Sequence, residues 1–280
     1  MWNKIEHNFI GCTSDFDEAE IVLFGAPFDS TTSFRPGARF GSKAIRNDSF
    51  GIETYSPYQD KDLCGYKIYD GGDLELCFGD TPAVLEAIEK NVDEIVQSGK
   101  IPFMLGGEHL ITLGAVRSVM KKHSELIIVH FDAHTDLRED YLGAKFSHAT
   151  VIKRCHDLLG DGRIFQFGIR SGEKAEFEFA EKHNFINKFN LSGLENIPKD
   201  KPVYFTLDLD VLDPSVFPGT GTPEAGGVSF TELLNAVIKI GELNVVGCDL
   251  VELSPVYDPS GASTAAACKI VRELLLSINL

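Results

Sequence analysis

Short apolar runs alternate with stretches of helical periodicity along most of the chain. Ile21–Phe24, Lys67–Tyr69, Ile101–Leu105, Leu126–Phe131, Ile164–Ile169, Val203–Leu209 and Val245–Leu250 read as strands, several of them apolar on both faces. Between them, Val84, Leu85, Ile88, Val92, Ile95 and Val96 recur at the spacing of one helix face. Thr81 is the expected N-cap of that helix, with Pro82 at its first position and Gly99 past its end. Ser229 and Glu232 have capping-box spacing and open a helix over Leu233–Ile240, and a last helix covers Thr264–Ser277. This alternation predicts an α/β fold, a three-layer α/β/α sandwich around a mostly parallel, doubly wound sheet. No internal repeat, low-complexity tract or long polar linker divides residues 1–280, which read as a single domain. In such sheets ligands bind beyond the carboxyl ends of the strands.

Those strand ends carry the chemistry. "IPFMLGGEHL" presents His109, and "IIVHFDAHTD" presents Asp132, His134 and Asp136 at every second position. "PVYFTLDLDVLDP" presents Asp208 and Asp210, and "VVGCDLVELSP" presents Glu252. Alternation along an extended chain puts residues two apart on one face. Carboxylates that close and poorly solvated repel unless something positive lies between them. Two imidazoles and four carboxylates suit first-row divalent ions, with the oxygen-rich mixture leaning towards manganese over zinc. Two divalent cations neutralise four carboxylates, whereas one leaves excess buried negative charge. His130, inside its strand, is expected to pack or hydrogen-bond there rather than ligate.

Composition narrows the partners. Forty-two acidic against 26 basic residues give a formal charge of −16, which disfavours nucleic acid or an anionic membrane surface and suits a cationic ligand. Six scattered cysteines without a C-x-x-C pair read as reduced, mostly buried thiols, and no apolar run approaches a membrane span, so the expected location is cytoplasmic.

The ordered set "SFRPGARFGSKAIR" (33–46), "DGGD" (70–73), "GGEH", "DAHTD", "LDLDVLDPSVFPGTGTPEAGG" and "VELSP" resembles the arginase–agmatinase family, the ureohydrolases, over nearly the whole chain. The bacterial agmatinase branch is the most similar. The resemblance implies an arginase-like fold and two Mn2+ per chain. One ion would be held by His109, Asp132, Asp136 and Asp208, the other by His134, Asp132, Asp208 and Asp210, with Asp132 and Asp208 bridging. It implies that a hydroxide between the ions attacks a guanidinium carbon to give urea and an amine, oriented by Asp136. Glu252 would bind the guanidinium through paired hydrogen bonds. His148, in "KFSHAT", would shuttle protons to the departing amine from a pKa near the unperturbed value of ~6.5. Ala149 follows it where many relatives have Gly. The family also suggests a homo-oligomer, trimer or hexamer.

Arg35, Arg39 and Arg46 are expected to be structural ion-pair partners, and the loop Pro218–Gly227 to shape a pocket wall. Arginases hold the α-amino acid group with Asn and Ser/Thr between the "DAHTD" segment and the shuttling histidine. Here that stretch is "LREDYLGAKFS", which lacks the Asn residues and argues for agmatine, split to putrescine and urea. Glu139 or Asp140 is a candidate for the distal amine, and an inward-facing Arg138 would instead favour a carboxylate. Guanidinobutyrate, arginine, formiminoglutamate and guanidine remain alternatives within this class. Outside it, a catalytically silent metal-dependent ligand sensor would use the same ligand set.

Overall fold

Successive side chains of a strand leave it on opposite faces, so a strand apolar throughout demands cover on both sides. The computed structural model describes residues 7–278. Its strands are β1 (Ile21–Ala26), β2 (Tyr55–Ser56), β3 (Lys61–Asp62), β4 (Ile68–Asp73), β5 (Ile101–Gly106), β6 (Ile127–Phe131), β7 (Ile164–Ile169), β8 (Phe185–Lys188), β9 (Val203–Asp208) and β10 (Val245–Val251). The α-helices are α1 (Gly41–Asp48), α2 (Thr81–Gln97), α3 (Thr112–Lys122), α4 (Val151–Leu159), α5 (Lys174–His183), α6 (Phe230–Gly241) and α7 (Ala262–Ser277). Apart from the small β2–β3 hairpin, the strands form one eight-stranded sheet in the order β4-β1-β5-β10-β9-β6-β7-β8. Every pairing within it is parallel.

The alternation sorts the core into two layers. Ile21, Leu23, Val129 and Phe205 pack with Ile45 of α1, Leu233 of α6 and Leu274 of α7. Val22, Phe24, Ile128 and Tyr204 face the other way, onto Ile88 of α2, Val116 of α3 and Ile152 of α4. The expected three-layer α/β/α sandwich is therefore present. No described helix is long and apolar enough to cross a membrane.

Differences from expectation are local. The N-cap of α2 is Asp80, whose side chain accepts from the Ala83 amide (3.0 Å), and Thr81 is the first helical residue. A carboxylate there also meets the positive end of the helix. The Ser229–Glu232 capping box forms as expected, but the helix begins at Phe230. Strand β8 gives no apolar run because it is an edge strand, half-buried at each position.

Of the three arginines, two pair as expected. Arg39 bonds Asp29, and the buried Arg46 reaches Asp70 (2.9 Å) and Asp73 (2.5 Å), tying α1 to β4. Arg35 instead donates to the carbonyls of Thr220 (2.5 Å) and Gly221 (3.2 Å) and lies over the Tyr257 ring at 4.3 Å. A planar, multi-donor head serves carbonyls as well as carboxylates, so Arg35 braces the expected wall loop rather than neutralising an acid.

Removing Arg46 strands Asp70 in the core, where it is 4% exposed. Arg46→Ala is expected to lower unfolding free energy by about 3–5 kcal/mol, read by denaturant titration. An unchanged midpoint would show the pair to be energetically idle.

Candidate metal centre and pocket

Four adjacent central strands, β5, β10, β9 and β6, end at the same edge of the sheet, and each delivers part of one polar cluster. After β5 the chain passes Gly106 and Gly107 into a single 3-10 turn, His109–Ile111, which carries the first imidazole. Glycine is required here, since a Cβ on Gly107 would lie 2.2 Å from the Phe28 carbonyl oxygen. Asp208 ends β9, and Asp210 stands in the turn that follows. Asp132, His134 and Asp136 lie beyond the end of β6. Their convergence is as expected, but strand alternation is not its cause. The chain turns, and Asp136 takes a positive φ of 52°.

Two groupings result. His109 Nδ1 lies 3.0 Å from Asp132 Oδ2, 3.3 Å from Asp136 Oδ2 and 3.3 Å from Asp208 Oδ2. His134 Nδ1 lies 2.9 Å from Asp210 Oδ2 and 3.4 Å from Asp132 Oδ1. Asp132 thus offers one oxygen to each imidazole.

The hydrogen bonds around His109 test whether a cation fits. Thr206 Oγ1 donates to Asp249 Oδ1 (2.6 Å), so it accepts from His109 Nε2 at 2.9 Å. Nε2 therefore carries the ring proton, and Nδ1 faces three carboxylate oxygens with no hydrogen-bond partner. Separations near 3 Å are those between ligand atoms around one small ion with bonds of about 2.0–2.2 Å. Without a cation, burial opposes charging His109, yet Asp132, Asp136 and Asp208 hold its pKa well above the usual value. A proton then stands in for the ion, aligned with no single oxygen. The residues fit a divalent cation better.

The carboxylates respond to the same crowding. Burial, then Asp132, pushes Asp136 up to about 7; burial, then Asp210 and Asp132, pushes Asp208 well up. Burial also opposes ionisation of Asp132, but His130 and hydrogen bonds from the surrounding histidines pull it well below the usual range.

His130 packs and hydrogen-bonds as expected, with a more specific task. Gln166 donates its amide to His130 Nδ1 (3.1 Å), which leaves Nε2–H to donate to Asp132 Oδ2 (2.8 Å). It steadies a carboxylate instead of ligating.

Glu252 follows β10 at φ 66°, and its Oε1 accepts the His109 amide at 2.9 Å. Burial, then Glu108, holds its carboxyl well above the usual range. His148 stands across the pocket, its amide bonded to Thr31 Oγ1 (3.1 Å) and Nε2 3.3 Å from Ser33 Oγ. Its expected pKa near ~6.5 is corrected. Burial, then nearby His134, lowers it to about 4, so the ring is neutral at pH 7.

Two buried carboxylates behind the cluster escaped the sequence reading. Asp249 is fully buried in β10 and accepts hydroxyls from Tyr204 (2.7 Å), Thr206 (2.6 Å) and Thr112 (2.8 Å), fixing the group that orients His109. Glu108 accepts from Thr31 and Thr32 and so holds the segment that meets His148. The signal for Asp249 was a charge between the core residues Cys248 and Leu250, and Glu108 carried no signal beyond its place beside His109.

His109, His134, Asp136, Asp208, Asp210 and Glu252 form the floor of a pocket of about 290 Å3. Its rim includes Arg138, Tyr141, Glu173, Thr222 and Glu224, the last two from the expected wall loop. The two acids proposed for a distal amine lie elsewhere. Glu139 pairs with Lys153 (3.0 Å) and Arg154 (3.1 Å), and Asp140 accepts from the Gly143 amide. Arg138 does reach the rim but is paired with Glu173 (2.9 Å) and Glu176 (3.6 Å).

The model of the Arginase family matches residues 19–277. Agmatinase from Bacillus subtilis is 48% identical over 275 residues, covering 96% of this chain and 95% of its own. A solved Clostridium difficile structure of a protein assigned as an agmatinase is 53% identical, covers 94% of this chain and 98% of its own, and superposes with a TM-score of 0.92. The solved agmatine ureohydrolase of Thermoplasma volcanium is 34% identical, with coverages of 98% and 94% and a TM-score of 0.88.

Thr206→Val removes the acceptor for His109 Nε2–H while keeping the side-chain shape. It is expected to weaken metal affinity by about 10–100-fold, measured by competition with a chelator. Unchanged affinity would show that His109 does not depend on this relay.

Proposed function

This chain belongs to the arginase family, and we propose that within it the chain acts as an agmatinase, hydrolysing agmatine to putrescine and urea at a binuclear manganese centre. The observation that carries the reading is His109 Nδ1, unpartnered among three carboxylates at the floor of an acid-rimmed pocket. His109, Asp132, Asp136 and Asp208 would hold one ion. His134, Asp132, Asp208 and Asp210 would hold the other. The oxygen-rich donor set favours manganese.

Two divalent cations, when bound, supply the Lewis acidity that makes water nucleophilic at neutral pH. The side chains do the rest. Glu252 accepts the guanidinium N–H groups and fixes the plane of the carbon under attack. Asp136 accepts a hydrogen bond from the attacking water and orients it. His148 enters neutral, takes up a proton and delivers it to the departing amine nitrogen. Its backbone is held by Thr31 and Glu108, so the ring can move without losing its anchor.

At the rim, Glu224 supplies negative charge for the second cation of agmatine, together with the single excess charge left when Glu173 and Glu176 share Arg138. Arg138 is already neutralised by its two glutamates. An α-carboxylate would meet acidic groups and no free cation, and a poorly paired carboxylate costs several kcal/mol. The small cationic guanidino substrate fits the chain's acidic balance, and a cytoplasmic location fits its free thiols. Assembly into a trimer or hexamer belongs to the same reading.

Metal analysis after reconstitution is expected to give two manganese ions per chain, and one at saturation would overturn the pairing of ligands. In a substrate panel scored by urea release, agmatine should exceed arginine and guanidinobutyrate in kcat/KM by roughly hundreds-fold. Either rival matching agmatine would reassign the substrate.

His148→Ala should lower kcat by about 10²–10⁴-fold with manganese content unchanged. Full turnover would remove His148 from the chemistry, and loss of manganese would make it a ligand.

A further inference from the structure

At the opposite edge of the sheet, among the connections that lead into β7 and β8, three donor groups meet outside the pocket. His156 lies in the last turn of α4, Asp161 in the loop before β7, and His183 ends α5. One carboxylate oxygen, Asp161 Oδ1, lies 2.9 Å from His156 Nε2 and 2.9 Å from His183 Nδ1. The three donor atoms all fall within 4.8 Å of one another.

The cluster is held from several directions. The Gly160 amide donates to the His156 carbonyl and the Gly162 amide to the His183 carbonyl, both at 2.8 Å, so the loop is laced to each histidine on either side of Asp161. Both glycines take positive φ, 82° and 71°, which an ordinary side chain resists. The Phe179 ring packs against both imidazoles, with centroids 4.8 and 4.5 Å away. His156 Nδ1 is buried without a hydrogen-bond partner. The rings are fixed, while the Asp161 side chain, 68% exposed, leaves the cluster open to solvent.

We propose that His156, Asp161 and His183 form a second divalent-cation site that takes borderline transition ions such as Zn2+ or Ni2+. Two imidazole nitrogens, each 2.9 Å from one carboxylate oxygen and all within 4.8 Å of one another, would leave a fourth position for water on an ion bound among them. The donor set is rich in nitrogen, whereas the pocket floor is rich in oxygen, so the two sites differ in the metal they prefer. An ion here joins the C-terminal ends of α4 and α5 next to the sheet's edge strand. It binds the folded chain alone and therefore stabilises it.

The test is independent of the proposed reaction. Manganese-loaded protein is dialysed against Zn2+, and bound zinc per chain is compared among wild type, His183→Ala and Asp161→Asn. Each variant is expected to bind one equivalent less zinc than wild type, because any exchange at the pocket is common to all three. The rise in unfolding temperature on adding zinc should shrink in both variants, with manganese content before dialysis unchanged. Asp161→Asn keeps one acceptor oxygen and the side-chain shape while removing the charge, so it tests the site even where His183→Ala perturbs the fold. Equal zinc content in all three proteins overturns the proposal and leaves the groups as hydrogen-bond partners only.

Discussion

Four carboxylates this close together and this deep stay ionised only with positive charge among them. That constraint organises the molecule. The side chains come from the ends of β9 and β6, and the imidazole that meets them comes from beyond β5, with β10 between. A parallel sheet gathers such groups at one edge because all its strands end there. Only a sheet covered on both faces can bury the strands that hold them in place. The helices on either side are the condition for the cluster as much as for the fold.

Behind the cluster sits a layer of polar side chains in core positions. Asp249, Thr206, Thr112 and Tyr204 form a closed set of hydrogen bonds behind His109, and Gln166 fixes the tautomer of His130 behind Asp132. A buried polar network is favourable only when its members are satisfied, and then it also specifies one geometry. Here His109, Asp132, Asp208, Asp210 and Glu252 each have a hydrogen-bond partner apart from the facing donor set. The aim of the donor atoms is thus set by the fold and not by the ion.

Much of this was legible in the chain itself. The apolar runs located seven strands of the main sheet, and the polar groups at their ends named the six clustered candidate ligands and Glu252. The eighth, β8, was hidden because an edge strand half-buried at each position has no need of an apolar run. Asp80 displaced Thr81 at a helix start because two capping side chains stood side by side, and only backbone geometry chooses between them. Asp249 and Glu108 were hidden for a different reason. A lone acid inside or beside an apolar run reveals its partners only once strands distant in sequence are adjacent in space. The rim was the least legible part, since Glu173 comes from a segment with no pattern of its own, Glu224 was legible only as part of an expected wall loop, and Glu139 and Asp140 looked equally suitable.

Glu252 combines a left-handed backbone with a buried carboxylate beside other acids. Each feature works against the folded state, by about 1–3 kcal/mol for the backbone alone. A glycine would relax the first and delete the second. The pocket floor is therefore a place where stability and activity pull the sequence in opposite directions. Selection for heat resistance alone would drift first towards sequences that fold better and catalyse nothing, so any effort to harden this scaffold has to screen for turnover at every round.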